Sequence, residues 1–271
     1  MIFSIITNKI ALLSCLILLS TSSFSMSVDK LKQWQNKQYI QSAFNEIALK
    51  NEYRSTDQRV LKWKNPIRYE FVYHNLKTNP LVERLFDAHL SHLQTITGHS
   101  IQPYTASSYH KDKANLSIHL TPDIDYKKVI QSVSENQVKN IAQKSHCMAS
   151  FQRNTHNAII KAQIVLPVDH VFSRGLLIAC IVEETTQILG LPNDSNWVNP
   201  SIANDASKVE LLTGLDYLLL KILYDKSLKA GAPYPQNQQT IKRVINRLES
   251  NDEIKHASKT INQAGLFPLI N

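Results

Sequence analysis

Apolar positions first recur at helical spacing in "YIQSAFNEIALKNEY", where Ile40, Ala43, Phe44, Ile47 and Ala48 share one face, so residues 28–52 are predicted helical. The period then changes. In "VLKWKNPIRYEFVYH", Ile67, Tyr69, Phe71 and Tyr73 alternate with Arg68, Glu70 and Val72, the pattern of a strand with one buried face, and Pro66 suits its start and edge. "NPLVERLFDAHLSHLQTITG" returns to the helical period with Leu81, Leu85, Leu90 and Leu93 on one side, Pro80 in the first turn and Gly98 just past the end. "ANLSIHLTP" alternates again, placing Leu116, Ile118 and Leu120 together. "NAIIKAQIVLPVD" is a nearly continuous apolar run, which predicts a strand buried on both faces.

A helix is expected over about 172–189, with Ser173 or Asp169 as its cap and Gly190 as its stop. The leucine-dense "LLTGLDYLLLKILYD" reads as a central helix. Pro233 and Pro235 interrupt the pattern before a last amphipathic helix, "QQTIKRVINRL". There are no internal repeats. This order of elements predicts an α+β fold with a mixed sheet. The organisation expected is a signal peptide over 1–25, an N-terminal helical segment over 26–60, a main domain over 61–230 and a helical tail over 231–271.

The start of the chain changes the setting. Lys9 precedes the apolar core "IALLSCLILLS", and "SFS" puts Ser23 and Ser25 at the small-residue positions of a cut before Met26. This predicts an exported protein, periplasmic or secreted. The alternative treats "LLSC" as a lipobox with Cys15 lipidated, although the apolar core continues beyond that cysteine. The formal charge of the 271-residue chain is +8, spread along its length without an arginine-rich stripe. That argues for solubility and against a nucleic-acid partner. After cleavage Cys147 and Cys180 remain. In an oxidising compartment an even pair suggests a disulfide, and the alternative is two buried thiols.

Candidate chemistry is concentrated in "CIVEETTQILGLPND". Cys180, Glu183, Glu184 and Gln187 fall on one narrow polar strip of an otherwise apolar helix, and the turn after Gly190 can fold Asn193 and Asp194 back to it. The run Glu183-Glu184-x-x-Gln187-x-x-Gly190-x-x-Asn193 resembles the metzincin pattern H-E-x-x-H-x-x-G-x-x-H. Glu184 stands at the general-base position, and Glu183, Gln187 and Asn193 stand at the zinc-ligand positions. The same stretch resembles a secreted bacterial family known as domain of unknown function 2927. Its other motifs are met by Lys62, Trp63, Pro66 and Ile67, by Ser201 to Asp205, by Leu212 to Asp216 and by Leu223 to Asp225. The resemblance implies a zincin-like (metzincin/matrixin-like) fold and a site location, but no reaction.

Zinc favours imidazole or thiolate donors, and neutral amides at Gln187 and Asn193 are poor substitutes, so no zinc cofactor is expected. The methionine turn of metzincins is also missing, with Ile202 in its place. An oxygen cluster of Glu183, Glu184, Asp194 and Asp205 could hold a hard cation such as calcium. Two function classes follow. One is a zinc-free binding or scaffold module for a cell-envelope protein, peptide or glycan. The other is a peptide or polysaccharide hydrolase using Glu184 as acid/base with Asp194 or Asp205. His89 and His92 share an i, i+3 spacing that metal sites use, but surface positions are expected for them. His119, Asp123 and Asp125 are expected in a solvated strand end.

Overall fold

A computed structural model describes residues 33–50, 58–105, 113–133 and 145–270. The expected signal segment and Cys15 lie outside these residues. In chain order the elements are α1 (Lys37–Leu49), β1 (Lys62–Trp63), β2 (Ile67–Tyr73), α2 (Pro80–Thr97), β3 (Ile101–Pro103), β4 (Leu116–Thr121) and α3 (Asp123–Val133). Then come β5 (Met148–Arg153), β6 (Ala158–Pro167), α4 (Val168–Ser173), α5 (Leu177–Gln187), α6 (Gly214–Leu223), α7 (Gln238–Ser250), α8 (Glu253–Ile261) and α9 (Phe267–Ile270).

The sheet is mixed, as the pattern of elements implies. β6 is its hub, with β1 and β4 parallel to it and β5 antiparallel. β2 continues the parallel sheet beyond β4, and β3 closes that edge. The main core holds Ile118, Leu120, Ile164 and Leu166 from the sheet, together with residues of α1, α2, α5, α6, α7 and α8. On the opposite face a smaller cluster joins Tyr126, Val129 and Ile130 of α3 to Met148 and Val165. β6 is therefore buried on both faces from Ala162 onward, as its apolar run predicts.

Several expectations change on folding. The single helix over 172–189 is broken into α4 and α5, with Gly175 at φ +70 in the break. Neither expected residue caps α5. The Asp169 carboxylate accepts from the Asp123 N–H instead, and the Ser173 hydroxyl donates to the His170 carbonyl. Asp123 and Asp125 open a helix rather than a loop, where their charges suit its N-terminal dipole. On α2 the buried stripe runs through Val82, Phe86 and His89, leaving Leu81 exposed. His89 and His92 are thus buried, not on the surface, and Gly265 packs against the His92 ring.

The ends of α5 and α6 are joined to β1 in one junction. The Trp63 Nε1–H donates to the Ile188 carbonyl at 2.7 Å, and the Tyr224 hydroxyl to the Leu189 carbonyl at 2.9 Å. Lys62 donates to the carbonyls of Leu223 and Asp225 at 2.9 and 3.1 Å, so a buried ammonium satisfies carbonyls at the C-terminal end of α6. Burial holds the Lys62 pKa down to about 8. Gly190, at φ +111, sits so close to Leu61 that a Cβ would lie 1.9 Å from the Leu61 carbonyl oxygen.

Candidate functional site

α5 presents its carboxylates beside the turn that follows Gly190. Glu183 and Gln187 are one turn apart. The Gln187 amide donates to Asp194 Oδ1 at 3.1 Å and, at the limit of a hydrogen bond, to Glu183 Oε1 at 3.5 Å. These three half-buried side chains form one polar cluster, which the helical spacing and the returning turn both anticipate.

Glu184 points elsewhere. It lies about 100° round the helix from Glu183 and is 5 % exposed. Its carboxylate is close enough to Tyr126 of α3 to help push that phenol's pKa up, second to burial itself. Cys180, one turn earlier on the same stripe, forms a disulfide with Cys147, which immediately precedes β5. The disulfide fixes the half-buried edge strand against the helix that carries the candidate carboxylates.

Asn193 has a different task. Its side-chain amide donates to the Glu46 carbonyl at 3.1 Å and to the Asp194 carbonyl at 2.8 Å, and its own N–H donates to the Ile47 carbonyl at 3.2 Å. Both outside carbonyls belong to the last turn of α1, where helix carbonyls lack intrahelical partners. Asn193 thus closes that helix end. Asp205 is exposed, one residue beyond the Ser195–Asn204 bridge.

The loop between α5 and α6 is held by Asp216. This fully buried carboxylate accepts from the Ser201 hydroxyl at 2.6 Å, the Ile202 N–H at 3.1 Å, the Thr213 N–H at 2.8 Å and the Thr213 hydroxyl at 2.9 Å. Burial raises its pKa, and the four hydrogen bonds oppose that rise. With Thr213 it also forms a capping box on α6.

Two further polar pairings went unread in the sequence because their partners come from distant parts of the chain. His119 lies on the sheet, 7 % exposed, not in a solvated loop. Its Nε2 meets Gln163 Oε1 at 2.7 Å, and its Nδ1 meets His74 Nε2 at 2.8 Å. Since Gln163 Oε1 can only accept, His119 carries its proton on Nε2, and His74 donates to Nδ1. The second group pairs His146 with His170 at 2.8 Å, with Asp123 3.6 Å from the other His170 nitrogen. The parallel register could have suggested the His119–Gln163 proximity, whereas nothing local announces His146 with His170.

A zinc ion does not fit the expected ligand set. Asn193 is committed to α1, and the Gln187 amide nitrogen faces two carboxylates. Among the described residues, no group of three or more His, Cys, Asp or Glu side chains is placed to hold a metal ion. No helix among them is long and apolar enough to cross a membrane.

Fold and site together define an α/β protein with a mostly parallel sheet, stapled to a helix that carries a carboxylate–amide cluster. The chain matches the family model described as "Protein of unknown function (DUF2927)" over residues 37–243, and it belongs to that family. No curated protein matches it. No solved structure matches it either.

Proposed function

We propose that this chain is an exported, zinc-free binding module on a metallopeptidase-like frame. One observation carries the reading: Asn193, at the third ligand position of the metzincin-like pattern, is bonded to the end of α1. The frame is supported by a mixed sheet with the motif helix packed on it and one antiparallel strand at its edge. Export is supported by "SFS" after the apolar core and by the Cys147–Cys180 disulfide. The partner class is a cell-envelope peptide, protein or glycan.

The second reading, a hydrolase using Glu184, is favoured by burial of that carboxyl beside Tyr126, a setting used in acid–base catalysis. Metal analysis of the purified mature protein, with casein and peptidoglycan assays of wild type and Glu184→Gln, separates the two. We expect substoichiometric zinc and no turnover that the substitution abolishes. One zinc per chain, or hydrolysis lost in Glu184→Gln, would overturn the binding-module reading.

A further inference from the structure

We infer that Trp197 is a stacking platform for the pyranose ring of a glycan, and that the adjoining polar cluster on α5 and its turn extends the same binding surface. The inference rests on the binding-module reading and names its ligand class.

Trp197 is the one large apolar side chain of the 190–213 loop that is exposed, at 42 %. The loop around it is held on every side. Tyr39 of α1 meets its ring edge-on, with centroids 5.8 Å apart and planes at 80°. The Tyr39 hydroxyl accepts from the Asn199 N–H at 2.7 Å and donates to the Asn199 carbonyl at 2.9 Å. The Ser195 hydroxyl accepts from the N–H groups of Trp197 and Val198 at 3.2 and 3.3 Å, and the Asn204 amide donates to the Val198 carbonyl at 2.7 Å. The indole is therefore pre-positioned, and little conformational freedom remains to be lost when something stacks on it.

The surroundings select the ligand. No large apolar side chain of the loop other than Trp197 is exposed. Asn196 and Asn199 flank it in exposed positions, Val198 is fully buried, and Asp194 lies three residues upstream. A protein partner would require a contiguous apolar patch with a polar rim. A single exposed ring flanked in the chain by two exposed amides suits a sugar instead. The C–H face of a pyranose covers the indole while its hydroxyl and acetamido groups pair with the rim.

The surface has length as well. The loop lies along α1, tied at Tyr39 near one end and at Glu46 and Ile47 near the other. Seven residues of helix separate those ties by about 10 Å. Trp197 and the Asn193–Asp194 turn thus stand along one helix edge, in line for an extended oligosaccharide.

The test is titration of the mature protein with N-acetylglucosamine tetramer and with cellotetraose, read by tryptophan fluorescence and calorimetry. The chain has three tryptophans, of which Trp63 is buried. We expect saturable binding with a fluorescence change that Trp197→Phe removes. Trp197→Ala should weaken binding at least tenfold with an unchanged circular dichroism spectrum, and Tyr39→Phe should weaken it severalfold while keeping the fluorescence change. Failure of both sugars to bind, equal affinity in Trp197→Ala, or saturable binding of casein-derived peptides in place of sugars would overturn the inference. A zinc-free protein that binds neither sugar would leave the binding-module reading standing, whereas shortening of the bound tetramer would refute that reading and keep the glycan site.

Discussion

Removing the disulfide should loosen the junction between β5 and α5 by an amount that the chain itself sets. Cys147 and Cys180 are 33 residues apart in sequence, and the bond joins the start of the antiparallel edge strand to the middle of the helix bearing Glu183, Glu184 and Gln187. Closing a loop of that length restricts the unfolded chain by about 12 cal/mol/K, or about 4 kcal/mol at 25 °C. For a chain of this size each kcal/mol corresponds to about 2–4 °C, so the reduced protein should melt about 8–15 °C lower. Cys147 and Cys180 are 5 % and 3 % exposed, so a Cys147→Ala/Cys180→Ala double variant also loses packing and should fall at least as far as the reduced wild type. The assay is thermal unfolding by circular dichroism at neutral pH, with and without reductant. A reductant-induced shift of less than about 3 °C would refute the loop-entropy argument. A double variant that melts above the reduced wild type would refute the packing argument.

His89 has its pKa pushed down to about 3 by burial, with His92 adding to the effect. The unfolded chain takes up this proton below about 6.5 and the folded chain only below about 3, so stability should fall as pH drops through that window. His89→Leu should remove about 2–3 kcal/mol of the loss between pH 7 and about 4.5, measured by urea unfolding, and an unchanged slope would place the acid sensitivity elsewhere. At Gly190 an added Cβ meets the Leu61 carbonyl oxygen at 1.9 Å, whereas at Gly98 it meets nothing within 4 Å, although both glycines have positive φ. Gly98→Ala should therefore cost about 1–2 kcal/mol of backbone strain, and Gly190→Ala more than about 4 kcal/mol or no soluble protein. Equal costs in urea titrations would show that the Leu61 contact does not limit the site.

The periodic elements were legible because each carries its own pattern. The alternation from Ile67 to Tyr73, the Pro80 and Gly98 punctuation of α2, and the apolar run of β6 are local signals that tertiary packing did not override. What stayed hidden depended on partners far along the chain. β1 is two residues long, and α3 has a mean polarity that obscures its short buried stripe of Tyr126, Val129 and Ile130. The break between α4 and α5 turns on Gly175, in the polar interruption Ser173-Arg174-Gly175, where a lone glycine reads equally as part of a helix. At the site, the i, i+4 spacing placed Glu183 with Gln187 and the glycine turn brought Asp194 to them. The orientation of Asn193 toward α1 could not be read, because its acceptors lie about 147 residues upstream.

That contrast bears on what a shared motif means. Lys62, Trp63, Gly190 and Tyr224 have their side chains or their space committed to one junction between β1, α5 and α6. Ser201, Ile202, Thr213 and Asp216 are committed to one buried carboxylate knot. Asn193 closes α1. Each of these positions has a structural role, and replacing any of them but Ile202, which gives only its backbone N–H, strands a buried polar group or forces a backbone clash. Gln187 at the end of α5 ties Glu183 to Asp194 of the following turn, and the three side chains stay half-buried rather than closing into the core. Folding does not require an indole held outward in the loop that follows. Stability alone would favour burying that ring, worth about 1.5–3 kcal/mol for a large side chain. A chain that keeps Trp197 exposed and fixes its backbone from both sides presents the ring that the proposed glycan would cover.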